Sequence, residues 1–200
     1  AFSQSPPVHD TRESVNYETA RLSKVATAVR IKEPITLDGH LEEPAWSLAI
    51  PATDFVQRTP RAGALSAERT EVRFLYDDTN LYVGFTFFDS DAAHMIVNQM
   101  QKDFDSQVTD SASVTLDSLH DRRSGFIFTT NPIGAKRDIQ ITGTGGTNID
   151  WDGVWDVKVS RNDHGWVSEY RIPFKTLRFS KAPVQEWGLN MTRRVFRLNE

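Results

Sequence analysis

An all-β fold, an antiparallel β-sandwich, is what the sequence predicts, and three observations carry the prediction. About ten short segments alternate apolar and polar residues with period two. Turn signals rich in Asp, Asn, Gly and Pro separate them at close spacing. No helix of ten residues is convincing beyond the first residues, and "DAAHMIVNQM" reads equally as an extended edge strand.

Residues 1–28 are polar, contain Pro6-Pro7 and lack a convincing apolar period, so they are expected to form an arm outside a sandwich of residues 29–200. "ITLDGHLEEPAWSLA" then predicts a short strand, a turn at Asp38-Gly39 and a short helix near residues 42–49. Pro44 falls in that helix's first turn, where a missing N–H costs nothing, and Trp46 and Leu48 are expected to anchor it on a sheet edge.

The clearest hairpin is "TEVRFLYDDTNLYVGFTFFDSD". Val72, Phe74 and Tyr76 alternate with Glu71 and Arg73; "DDTN" supplies the turn; Leu81, Val83, Phe85 and Phe87 alternate again. "SASVTLD" puts Ala112, Val114 and Leu116 on one face, and "GFIFTTNPIGAKRDIQIT" turns at Asn131-Pro132-Ile133-Gly134. "GVWDVKVS", "WVSEYRI" and "WGLNMTRRVF" complete the strands. In the first of these Trp155 shares a face with Val157 and Val159, which makes it core. Trp166 opens a strand after a turn and is expected at the core margin.

Composition excludes several functions. With 38% hydrophobic and 25% charged residues the chain suits a folded soluble domain, and a net charge of −4 provides no basic field for nucleic acid. No apolar run approaches the ~18 residues of a spanning helix. Without cysteine there is no disulfide, thiol nucleophile or thiolate metal site. The opening "AFSQSPPVHDTRES" reads either as a mature exported chain or as a boundary within a longer one, and "RRVFRLNE" reads as a cut before further sequence.

Catalytic motifs are missing. "GTGGTN" lacks both the Walker lysine and a following helix, so it reads as a loop between strands. Gly-x-Ser-x-Gly and His-Glu-x-x-His do not occur, and the five histidines fall in or near turns and termini. Asp103, Asp105 and Asp110 form a loop set of hard oxygen ligands suited to a structural calcium, though the glycine and bidentate glutamate of an EF-hand are replaced by Val108 and Val114. Glu169, near segments bearing Arg171, Arg178, Arg193 and Arg194, is expected to pair with Arg193 or Arg194. Trp151 lies outside the alternating run between Asp150 and Asp152, which makes it the indole freest to stack on a ligand, with Asn148, Asp150 and Asp152 as polar neighbours. The competing reading folds Trp151 down as a lid on the sheet edge.

The ordered segments "ITLDGHLEEPAW", "DDTNLYVGFTFFDSD" and "DSASVTLDS" resemble family 9 carbohydrate-binding modules over about Ile31 to Arg194. "HDRRSGFIFTTNPIGAKRD", "WDGVWDVKV", "GWVSEYRIPFKTLRFS" and "EWGLNMTRR" resemble a bacterial subgroup in which the module begins a larger secreted or outer-membrane protein. The resemblance implies a sandwich that grips sugar chain ends between two tryptophans, often with structural calcium. Here Gln107, Val108 and Thr109 stand where the first clamping tryptophan would lie, and none follows Trp187. The clamp is therefore not carried over. The resulting expectation is a non-catalytic carbohydrate-binding module of an exported protein, followed by a membrane or catalytic region. The alternative is a structural or docking module of an outer-membrane protein that binds no sugar.

Overall fold

The computed structural model describes Thr19 and residues 24–200. The strands are β1 (Val29–Arg30), β2 (Thr70–Tyr76), β3 (Asn80–Phe88), β4 (Ser111–Asp117), β5 (Gly125–Thr130), β6 (Lys136–Ile141), β7 (Thr147–Asn148), β8 (Asp156–Asn162), β9 (Gly165–Pro173) and β10 (Gly188–Arg194). They form two five-stranded sheets, ordered β1-β2-β3-β9-β8 and β10-β4-β5-β6-β7. All pairings are antiparallel except β1 with β2.

The alternating residues meet where the sequence directs them. Val72, Phe74, Leu81, Val83, Phe85 and Phe87 of one sheet face Ala112, Val114, Leu116, Phe126 and Phe128 of the other. Burying each large side chain removes apolar surface worth about 1.5–3 kcal/mol, which makes these facing rows the main stabilising element. Trp155 stacks on Tyr170 with ring centres 5.6 Å apart. Trp166 is fully inside rather than at the margin: it stacks on Phe87 at 3.8 Å, because the register sets these two residues directly opposite.

Turn chemistry places the hairpins. Asp77 Oδ1 accepts the N–H groups of Thr79 and Asn80, closing β2–β3. Gly134, at φ +80°, donates to the Asn131 carbonyl between β5 and β6. "GTGGTN" turns the chain after β6 and ends in β7 itself, Thr147–Asn148.

Strands β2 and β3 are covered on both faces. Leu75 and Tyr82 point away from the sandwich interior and pack with Ile31, Ile35, Trp46 and Ala49. A Cβ on Gly84 would come within 3 Å of Leu41 and Trp46, so glycine there lets this outer layer close onto the sheet. The helix α1 (Pro44–Leu48) falls where the sequence puts it, but Leu48 is exposed. In so short a helix Trp46 and Ala49, three residues apart, share the buried side and Leu48 turns outward. The expected strand at Ile35–Asp38 does not form; the segment is held by side chains from the sheet beneath it. "DAAHMIVNQM" is neither long helix nor strand, being a single 3₁₀ turn at Ala92–His94 and then irregular chain.

The expected arm lies outside the described residues apart from Thr19 and 24–28, where Ala26 and Ala28 rest against the core. The expected pairing of Glu169 with Arg193 or Arg194 is incorrect. Glu169 projects from the outer face of its sheet, away from β10, which belongs to the other sheet. Its Oε2 accepts the N–H groups of Asp38 (2.9 Å) and Gly39 (3.0 Å). Arg193 instead faces Asp89 at 3.5 Å, and Arg197 bridges Asp89 (2.6 Å) and Glu68.

Candidate functional site

Strand β7 pairs only with Gln140 and Ile141, so on the side away from β5 the first half of β6 has no strand beside it among the described residues. Two loops close on that uncovered edge. The first, around residues 99–110, is anchored by fully buried Phe104. Asp103 N donates to the Lys136 carbonyl (2.8 Å), and Arg137 Nη1 donates to the Phe104 carbonyl (2.9 Å). The second, residues 149–155, is fixed by Gly153 N, which donates to Asp138 Oδ2. Lys136 ties its end by donating to the Trp155 carbonyl, with its ammonium over the Trp155 ring.

Between the loops lies a cavity of about 320 Å³ lined by Lys102, Asp103, Arg137, Ile149, Asp150 and Asp152. Behind this lining, on β6 opposite Phe128, Asp138 has no solvent exposure. Asp138 Oδ1 accepts no hydrogen bond, and the Lys102 ammonium stands 3.9 Å away. Lys102 also meets Asp152 at 2.7 Å and Asp103 at 3.8 Å. That contact with Asp152 raises the Lys102 pKa and lowers that of Asp152, so both stay ionised at neutral pH. The cavity thus presents several fixed carboxylates, a guanidinium, a tethered ammonium and one apolar side chain, Ile149. Such a set can hydrogen-bond hydroxyl groups, since carboxylates accept from and cations donate to them.

No family model and no curated protein matches the chain. Solved structures do. A family 9 carbohydrate-binding module from Caldicellulosiruptor kristjanssonii, in complex with cellotriose, superposes with a TM-score of 0.54 at 16% identity, covering 83% of this chain and 74% of that one. A family 9 module from the same organism, in complex with glucose, gives 0.54 at 17% identity, with 84% and 76% covered. A candidate carbohydrate-binding protein from Bacteroides uniformis gives 0.57 at 10% identity, with 74% and 71% covered. The chain has a family 9 carbohydrate-binding-module fold. At these identities the likeness is one of architecture, and residue roles rest on this chain's own geometry.

Within the family 9 fold, the residues singled out from sequence fare differently. Asp150 and Asp152 line the cavity together with Asp103, which the sequence grouped with a metal set instead. Asn148 is exposed on β7, and its Oδ1 accepts the Asp150 N–H (3.2 Å), shaping the loop rather than lining the cavity. Trp151 is not an open platform. Its ring packs on Phe126 (4.9 Å) and Phe128 (5.9 Å), half-buried, in the space that Gly153 leaves by lacking a Cβ. Apolar surface beneath it wins over exposure to solvent.

The calcium set does not converge. Asp105 Oδ1 accepts Gln107 N in a local turn, whereas buried Asp110 holds Ile96 N and Phe196 N, one on each oxygen. Burial raises the Asp110 pKa. Among the described residues no three His, Cys, Asp or Glu side chains are placed to hold a metal ion. Asp103, Asp105 and Asp110 therefore do not fit the calcium that the family resemblance implies. Lys102, Arg137, Asp138 and Ile149 were missed from sequence. The available signal was a charged residue in the middle of "KRDIQI", directly opposite an aromatic strand.

Proposed function

We propose that this domain is a non-catalytic carbohydrate-binding module that holds a sugar in the cavity between Lys102 and Asp150. The observation that carries the reading is the lining of that cleft, which brings Asp103, Asp150 and Asp152 together with Arg137 and Lys102, while the buried Asp138 carboxylate stands behind the Lys102 ammonium. The complexes of the two similar family 9 modules with cellotriose and glucose support the ligand class.

Magnitudes set the expected affinity. Three or four hydrogen bonds of about 1 kcal/mol each, some of them charge-assisted, act against association costs of several kcal/mol. Ile149 adds a little apolar contact. The sum supports binding in the millimolar to high-micromolar range, which repeated copies or a second domain on the same chain would strengthen. With this reading goes the proposal that the module belongs to an exported protein, next to a membrane or catalytic region of the same chain, as in the subgroup that the sequence resembles.

Isothermal titration with cello-oligosaccharides tests it. The parent should bind, whereas Arg137→Ala and Asp150→Ala should lose binding about tenfold. No heat of binding at about 10 mM sugar would reject the reading.

A further inference from the structure

The cleft contains a cation of its own. Lys102 places its ammonium 2.7 Å from Asp152, 3.8 Å from Asp103 and 3.9 Å from Asp138. Three carboxylates thus surround a single positive charge. One of them, Asp138, is completely buried, and its Oδ1 faces that charge without any hydrogen bond. Of the other cations nearby, Lys136 is committed to the Trp155 carbonyl and ring, and Arg137 gives one of its donors, Nη1, to the Phe104 carbonyl. Asp150, on the same rim, forms no ion pair among the described residues.

Lys102 is an exchangeable occupant. Its side chain is 44% exposed on a flexible four-carbon stem, so it can swing into water when another cation takes over its carboxylate partners. Its departure leaves a position bounded by Asp103, Asp138 and Asp152 with no compensating charge. Another ammonium group that enters there regains the same attraction, in a site partly shielded from water. A carboxylate or sulfate entering there meets like charge.

We propose that Lys102 stands in for the ammonium of a ligand, and that the sugar taken by this cleft carries a free amine, as glucosamine units do. This rests on the cleft being a sugar site. The ligand amine displaces the Lys102 ammonium from between Asp103, Asp138 and Asp152, while Asp150 and Arg137 meet ring hydroxyls. Lys102 then competes with the ligand rather than helping it.

Titration of the intact chain with a glucosamine tetramer and with cellotetraose, below neutral pH so that the amines are protonated, tests the proposal. The glucosamine tetramer should bind about tenfold more tightly than cellotetraose. Lys102→Ala should tighten the amine-bearing ligand several-fold and weaken cellotetraose, which loses a donor to its hydroxyls. Asp138→Asn should abolish the preference; should that variant fail to fold, exposed Asp152→Asn should reduce it. Equal binding of both tetramers, or a Lys102→Ala variant that weakens both alike, overturns the amine proposal and leaves sugar binding standing. Binding of neither tetramer overturns both.

Discussion

The carboxylate of Glu169 lies 3.0 Å from the amide nitrogen of Gly39, and so a strand of the sheet holds a loop 130 residues earlier in the chain. The same oxygen takes the Asp38 N–H, while Oε1 is buried without a partner. Burial pushes the Glu169 pKa up to about 7 against the two amide donors, and the Glu43 and Asp38 charges add to the rise. A folded-state pKa above the unfolded value means that the native state binds the extra proton. The stabilisation is complete below the unfolded value of 4.5 and is lost as pH rises through about 7. Its size is on the order of 3 kcal/mol. Glu169→Gln keeps an acceptor for both amides and cannot ionise, so its stability relative to the parent should rise between pH 5 and pH 8. Parallel melting curves for the two proteins across that range would contradict this.

Asp89 should prove the keystone of the ion network beside β10. Its carboxylate is almost fully buried between Arg193 and Arg197, and Arg197 also reaches Glu68. Asp89→Ala leaves two guanidinium groups short of a partner in a dry environment, at an expected cost of about 3–5 kcal/mol. Denaturant unfolding measures it. A change below about 1 kcal/mol would show that the network is hydrated and weak.

Trp151 should matter for stability more than for binding. Trp151→Ala strips cover from Phe126 and Phe128 and should cost about 2–3 kcal/mol, below the range for a fully buried tryptophan. Trp151→Phe should recover much of that loss and bind sugar like the parent. If the Phe variant folds normally but loses binding, the indole is a ligand contact after all.

The sandwich was legible because its interior faces obey period two within each strand, at Val72 and Phe74, from Leu81 through Phe87 and from Ala112 through Leu116. The outer layer was not. Leu75 and Tyr82 read as the solvent side of a hairpin until Trp46 and Ile35 are brought across them, a contact between segments about 30 to 45 residues apart. For Glu169, alternation shows that it shares a strand face with Val167, but its neighbours depend on which sheet receives β10, and alternation carries no such information. The site was half visible. Asp150 and Asp152 stand out beside a glycine-rich loop, whereas Lys102 and Asp138 meet only through the folding of the first loop onto β6. Trp151 had two readings of comparable weight from sequence. Phe126 and Phe128, 23 to 25 residues earlier, decide between them in favour of the lid.

The central claim is that sugar occupies the cleft between Lys102 and Asp150. Amide chemical-shift perturbation during titration with cellotriose tests it most directly, because it locates a weak ligand without any substitution. The amides of Asp103, Asp138, Asp150 and Gly153 should shift together along a single saturable curve, while those of β2 and β10 stay fixed. Saturable shifts confined to another surface, or none up to about 10 mM sugar, would contradict it.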